Sequence, residues 1–220
     1  KARKYNPDVI ISDIMLPGMD GLEMCRELKA DLELSHIPII MVTAKQGDDG
    51  KLEGLRTGAD DYIIKPFMME ELEMRVANIL KMRRKLRRHY RHEGSLPESA
   101  PALPDHDKKM LEKLNVLIEK HLREPNLSVE RLSQELGLSR VHLYRKLKAL
   151  TDMSPTTYIR RFRLRRAETM LRNRGVRVSE VAYEVGFQDI NYFSKCFKKE
   201  YGKLPSEWSE VIAEEGPEHL

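Results

Sequence analysis

Two stretches of this 220-residue chain repeat one another, and that repeat limits the fold more than any other feature. LSVERLSQELGLSRVHLYRKLKALTDMSPTTY (127–158) is echoed by VRVSEVAYEVGFQDINYFSKCFKKEYGKLPSEW (176–208). Val129, Leu132, Leu136, Gly137 and Leu138 correspond to Val178, Val181, Val185, Gly186 and Phe187 at an offset of 49. One residue then enters, and Leu143, Leu147, Pro155 and Tyr158 correspond to Phe193, Phe197, Pro205 and Trp208 at an offset of 50. Each copy reads as a short amphipathic helix, a glycine-containing turn and a second helix, a helix-turn-helix. Gly137 and Gly186 sit where such a turn favours positive φ. Pro155 opens a helix predicted to run to Arg172, about 27 Å at 1.5 Å per residue.

The first part of the chain has a different grammar. Strands are predicted at 8–11 with Ser12 and Asp13, at 37–42 and at 61–64, and helices at 21–32, 48–57 and 69–81. Short, nearly continuous apolar strands alternating with helices imply a parallel sheet covered on both faces. Residues 82–107 then pass from a basic, helix-compatible run into a stretch rich in Pro, Ser and Gly, where Pro97, Pro101 and Pro104 exclude one continuous helix. The run RRKLRRHYRH reads as a solvated helix end, with contact to nucleic-acid phosphates as its functional alternative. The division expected is 1–82 as an α/β domain, 83–107 as linker, 108–212 as an all-α domain and 213–220 as tail.

Charge follows that division. Residues 1–80 carry 10 Lys/Arg against 15 Asp/Glu, whereas 81–220 carry 29 against 20. An acidic half joined to a basic half points to a polyanionic partner for the second half alone. Cys25 and Cys196 lie in different halves without CxxC spacing, so free thiols are expected rather than a disulfide or zinc site. No apolar run approaches the ~20 residues of a membrane-spanning helix, and no signal peptide is visible. The sequence opens KARKYNPDV inside an apparent helix without an initiator Met, and is expected to be a fragment with a cytoplasmic location for this segment.

Three polar residues stand at the carboxyl ends of the predicted strands, where open α/β sheets gather their chemistry. Asp13 ends VIIS, Thr43 ends PIIMV, and Lys65 ends DYII before Pro66. Together they could handle a phosphoryl group, with Asp13 as nucleophile and Thr43 and Lys65 neutralising phosphoryl oxygens. Singly, each has a plain structural reading: a turn cap, a helix cap and a surface charge.

The strings PDVIISDIMLPGMDG, IPIIMVTA and GADDYIIKPF resemble the response-regulator receiver domain of two-component signalling across residues 1 to about 82. The resemblance implies Asp13 as phosphoacceptor, Thr43 as switch hydroxyl, Tyr62 as switch aromatic, Lys65 as the phosphoryl-contacting lysine before a cis Pro66, and Asp13 with the Met15 backbone carbonyl as ligands of Mg²⁺. The fold implied is flavodoxin-like, with only its strands 3, 4 and 5 in this chain and strand 3 left as an edge. The acidic pair that holds Mg²⁺ in the family lies on a first strand absent from these residues. This segment is therefore expected to bind Mg²⁺ weakly and to accept phosphate poorly.

In the basic half, residues 140–177 hold 12 Lys/Arg against Asp152 and Glu168 alone, too dense for an ordinary solvated face. SRVHLYRKLKALTDMSP and GFQDINYFSKCFKKEYGKLPSEW resemble the DNA-binding domain of the AraC family, the match covering about 108–210. Asp152 stands where the family usually has Gly, and Trp208 replaces a frequent Tyr. By that resemblance the first reading helix presents Arg140, Val141, Tyr144 and Arg145 to the major groove of double-stranded DNA, with Lys148 toward phosphates. The second presents Asn191 and Lys195 to base edges, with Lys198 and Lys199 on the backbone. Arg suits guanine and Asn suits adenine. Val141 and Tyr144 have packing within the unit as an alternative, and Leu143, Leu147, Phe193, Phe197 and Trp208 read as core. The connecting helix would set the two readers about one DNA turn, ~34 Å, apart.

The expectation is thus an α/β receiver remnant followed by an all-α domain with two helix-turn-helix units: a sequence-specific transcription regulator, not an enzyme. Its expected partners are DNA, a histidine kinase domain in the same or a separate chain, and a second copy when activated, with no small-molecule substrate. The pairing of domains resembles hybrid two-component regulators anchored in the inner membrane, with an ordinary soluble response regulator as alternative. Other readings are a non-phosphorylated dimerising scaffold in the first half, a flavodoxin-like enzyme, and nonspecific DNA packaging.

Overall fold

A computed structural model of the chain describes residues 1–16, 18–31, 33–44, 58–92, 105–172 and 176–208. Residues 48–57, predicted as a helix, lie outside them. The chain forms two compact units, Lys1–Leu111 with Val141–Asp152, and Glu112–Arg140 with Met153–Leu220.

The first unit contains a three-stranded parallel sheet. Its strands are β1 (Ile10–Asp13), β4 (Ile39–Thr43) and β5 (Asp61–Ile64), in the order β1-β4-β5. Ile10 pairs with Ile39 and Asp13 with Val42, while Ile40 pairs with Asp61 and Thr43 with Ile64. Central β4 is buried throughout, as its run IIMVT requires of a strand covered on both faces. One face packs Ile39 and Met41 with Leu22 and Cys25, the other Ile40 and Val42 with Ile63. Ile11 on edge strand β1 stays 46% exposed.

Helix α1 (Ala2–Tyr5) leads into β1, and a small hairpin, β2 (Met15–Leu16) and β3 (Met19–Asp20), precedes α2 (Gly21–Ala30). Asp20 caps α2, its carboxylate accepting the Leu22 amide at 2.9 Å. Lys29 Nζ reaches Asp60 at 2.6 Å, and Asp60 accepts the Ile39 amide at 2.8 Å, pinning the start of β4. Helix α3 spans Met69–His92, longer than the 69–81 predicted, because no Gly or Pro interrupts the basic run after Lys81. The 83–92 part of the expected linker is therefore helical, and 93–104 lie outside the described residues.

Helix α4 (Asp105–Lys120) leads to α5 (Val129–Leu136), α6 (Arg140–Thr151), α7 (Pro155–Leu171), α8 (Val178–Glu184) and α9 (Ile190–Tyr201). The repeat is visible in the hydrogen bonds of the two turns. Leu138 N–H donates to Ser133 O at 2.8 Å and Gly137 N–H to Gln134 O at 3.0 Å. At the same offset of 49, Phe187 N–H donates to Ala182 O and Gly186 N–H to Tyr183 O, each at 2.9 Å. Gly137 and Gly186 have φ of 71° and 80°, the left-handed geometry of helix C-termini. Ser128, Ser154 and Asp189 cap α5, α7 and α9 through the amides of Arg131, Thr157 and Tyr192. In the second unit Leu164, Ala167, Leu171, Val181, Val185, Phe187, Phe193 and Phe197 form one apolar core.

Candidate phosphoacceptor pocket and nucleic-acid interface

The parallel register brings the three strand-end residues to one edge of the sheet. Asp13 pairs across from Val42, beside Thr43, and the Lys65 amide donates to Thr43 O at 2.7 Å. Lys65 Nζ bonds the Asp13 carboxylate, whose other oxygen accepts the Met15 amide at 3.0 Å. The Lys65 hydrogen bond, then that of Met15, holds the Asp13 carboxyl below the usual carboxylate range, so it is ionised at neutral pH. The Thr43 side chain is buried and the Tyr62 ring half-buried. The Lys65–Pro66 peptide is cis. Gly21 lies against the acceptor: a Cβ there would come within 2.2 Å of the Asp13 carbonyl oxygen. Sequence reasoning passed over Gly21, although its place directly after MDG's aspartate, ahead of an amphipathic run, was a signal.

Mg²⁺ is a poor fit to the residues present. Asp13 is already engaged by Lys65, and among the described residues no three His, Cys, Asp or Glu gather as a metal site. Neither cysteine forms a disulfide.

All the reading-helix candidates but Arg145 are exposed. On α6, Val141 and Tyr144 are 56% and 50% exposed, Arg140 and Lys148 are exposed, and Arg145 is half-buried with Nη1 donating to Arg3 O at 3.1 Å. Lys148 pairs with Asp152 at 2.7 Å. On the opposite face Leu143, Leu147 and Leu150 are buried, and so is Lys146, whose ammonium meets Asp107 at 2.7 Å and Ser35 at 2.8 Å. Exposure of Val141 and Tyr144 leaves them available to a partner rather than to internal packing. Asp152 takes φ of 59°, so it supplies the left-handed backbone for which Gly is usual.

On α9, Asn191, Lys195, Lys198 and Lys199 are exposed, while Phe193 and Phe197 are fully buried as a tilted pair with ring centroids 5.7 Å apart. Trp208 is half-buried, 6.0 Å from Phe197. Val141, Tyr144, Arg145 and Lys148 correspond at the offset of 50 to Asn191, Ser194, Lys195 and Lys198. Both sets have the i, i+3, i+4, i+7 spacing of one helix face. Ser194 therefore completes the second stripe; the repeat itself carried that signal, and the sequence reading missed it.

Two family models match the chain. Residues 1–77 match the response regulator receiver domain and residues 132–210 a helix-turn-helix domain. The chain is 36% identical over 214 residues to histidine kinase P4 of Formosa agariphila, covering 97% of this chain and 16% of that protein's length. Among solved structures it is similar to the C-terminal domain of the two-component response regulator yesN from Fusobacterium nucleatum (28% identity, TM-score 0.41, 44% of this chain and 95% of that one). It is also similar to the C-terminal domain of AraT, a response regulator from Geobacillus stearothermophilus (27% identity, TM-score 0.44, 50% and 93%). No helix among the described residues is long and apolar enough to cross a membrane. The chain thus matches a response regulator receiver domain followed by a helix-turn-helix domain.

Proposed function

We propose that this chain is the output end of a two-component signalling protein, reading double-stranded DNA through α6 and α9 under the control of aspartyl phosphorylation in a complete receiver. The observation that carries the reading is the duplicated stripe, Val141/Tyr144/Arg145/Lys148 and Asn191/Ser194/Lys195/Lys198, exposed but for the half-buried Arg145 and Ser194, each opposite a buried apolar face. A helix with one face anchored and the other studded with Arg, Asn and Lys is built to enter a major groove. Phosphotransfer would come from a histidine kinase domain, a reading supported by the similarity to histidine kinase P4 of Formosa agariphila, of whose length this chain covers 16%. Dimers on repeated half-sites would then raise occupancy.

Binding-site selection from random duplexes is the test. The intact chain should enrich a bipartite motif, and Asn191→Ala should relax preference at one base pair. Equal affinity for scrambled and selected DNA at physiological salt would favour nonspecific packaging and reject the reading.

A second reading has one observation in its favour. Asp13 is tied to Lys65 with no metal cluster among the described residues, as in a scaffold that dimerises the DNA reader without phosphate. Finding DNA affinity and dimerisation unchanged by Asp13→Asn would favour the scaffold.

A further inference from the structure

The second unit holds a buried cation that the reading stripes do not use. Arg163, in the middle of α7, is 8% exposed, and among the described residues no carboxylate pairs with it. Loss of hydration on burial lowers its pKa, and its Nε–H is buried without a protein acceptor. A buried, uncompensated guanidinium is destabilising unless its remaining hydrogen bonds do something that apolar packing cannot.

Those bonds go to two backbone carbonyls far apart in sequence. Nη1 donates to Gly186 O at 3.1 Å, in the turn between α8 and α9, and Nη2 donates to Glu124 O, in the segment that leads from α4 into α5. Gly186 is pressed into the same junction: a Cβ there would stand 2.4 Å from Leu122 O and 2.8 Å from Arg163 Cζ. The 121–127 segment, the Arg163 fork and the second turn are thus stacked with no room for a methyl group. Around the junction, Arg123 pairs with Glu184, and Arg166 with Glu119 at 2.7 Å, but these pairs are exposed and contribute little. A planar fork reaching two acceptors at once is particular to arginine; a lysine ammonium on a flexible stem cannot span both.

We propose that Arg163 is a spacing-determining residue: by holding Glu124 O and Gly186 O in one guanidinium, it locks the entry to the first helix-turn-helix against the turn of the second and so fixes which half-site spacing the protein accepts. It touches no base and acts through the two motifs it joins. The inference rests on the DNA-reading function proposed above.

The test is selection from a duplex library in which two half-sites are separated by spacers of varied length, using the full chain and the variants Arg163→Lys and Gly186→Ala. The unaltered protein should select one spacing. Arg163→Lys should keep both half-site sequences, lose about tenfold in affinity at the preferred spacing, as expected for losing a buried charged hydrogen bond, and accept spacers one or two base pairs longer or shorter. Gly186→Ala, which forces the same junction apart, should broaden spacing in the same way and carries the test if Arg163→Lys fails to fold. A folded variant with an unchanged single spacing, even with a lowered melting temperature, overturns the proposal and leaves Arg163 a purely structural residue. Absence of any sequence preference in the unaltered protein would instead reject DNA reading itself.

Discussion

His36 shows how burial alone sets a charge. Its side chain is 3% exposed, and desolvation outweighs the pull of Asp107, pushing the imidazole from its ordinary 6.5 down to about 4. Between those values the unfolded chain binds a proton that the folded one refuses. Stability is therefore fully present above about pH 6.5 and falls as the pH drops toward 4, by about 3 kcal/mol. Urea titrations from pH 7 to pH 4 should show that loss, and His36→Asn should flatten the slope; parallel slopes would exclude His36 as its source. At the DNA face, Arg145→Ala should cost about 1–3 kcal/mol and relax one base pair, whereas Lys199→Ala should weaken all sequences alike. Selected motifs that are identical for Arg145→Ala and the unaltered chain would remove Arg145 from base reading.

Among the elements, the two turns share hydrogen bonds but not surroundings. Gly137 has open space where a Cβ would go, so Gly137→Ala should cost only the left-handed backbone strain, about 1–2 kcal/mol. Gly186→Ala adds a collision with the Leu122 carbonyl, so its cost should be clearly larger. Thermal melts of both variants check this, and equal losses would contradict the packed junction. The Ser154 cap of α7 is worth about 1 kcal/mol, and Ser154→Ala should lower stability by that amount.

For the molecule as a whole, the phosphoacceptor edge and the basic helices make separate demands. Asp13 is oriented by Lys65 and Met15, yet among the described residues no acidic cluster stands by to hold a metal. Incubation with acetyl phosphate and Mg²⁺ should leave Asp13 largely unlabelled by intact mass, and stoichiometric labelling would refute this. DNA affinity should fall linearly on a log–log plot against salt, with Lys148→Ala and Lys198→Ala each reducing the slope by about one phosphate contact. Slopes that do not change would take those lysines off the backbone.

Much of this was legible in the residues because the physics is local. The short apolar runs in IISD and DYII, the repeated apolar positions and the turn glycines each declare their own geometry within a few residues, and β5 and the positive φ of Gly137 and Gly186 stand where they were expected. Even Asp13, Thr43 and Lys65 could be grouped, since parallel strands present their carboxyl ends together. What the chain order did not reveal depends on groups distant in sequence. Lys146 read as one more basic residue until Asp107 and Ser35 closed around it, and Arg163 as one more arginine in a cationic helix. A charged side chain announces its type but not whether water or a carbonyl will receive it; only packing decides that, because desolvation is a property of the assembled surroundings rather than of the residue.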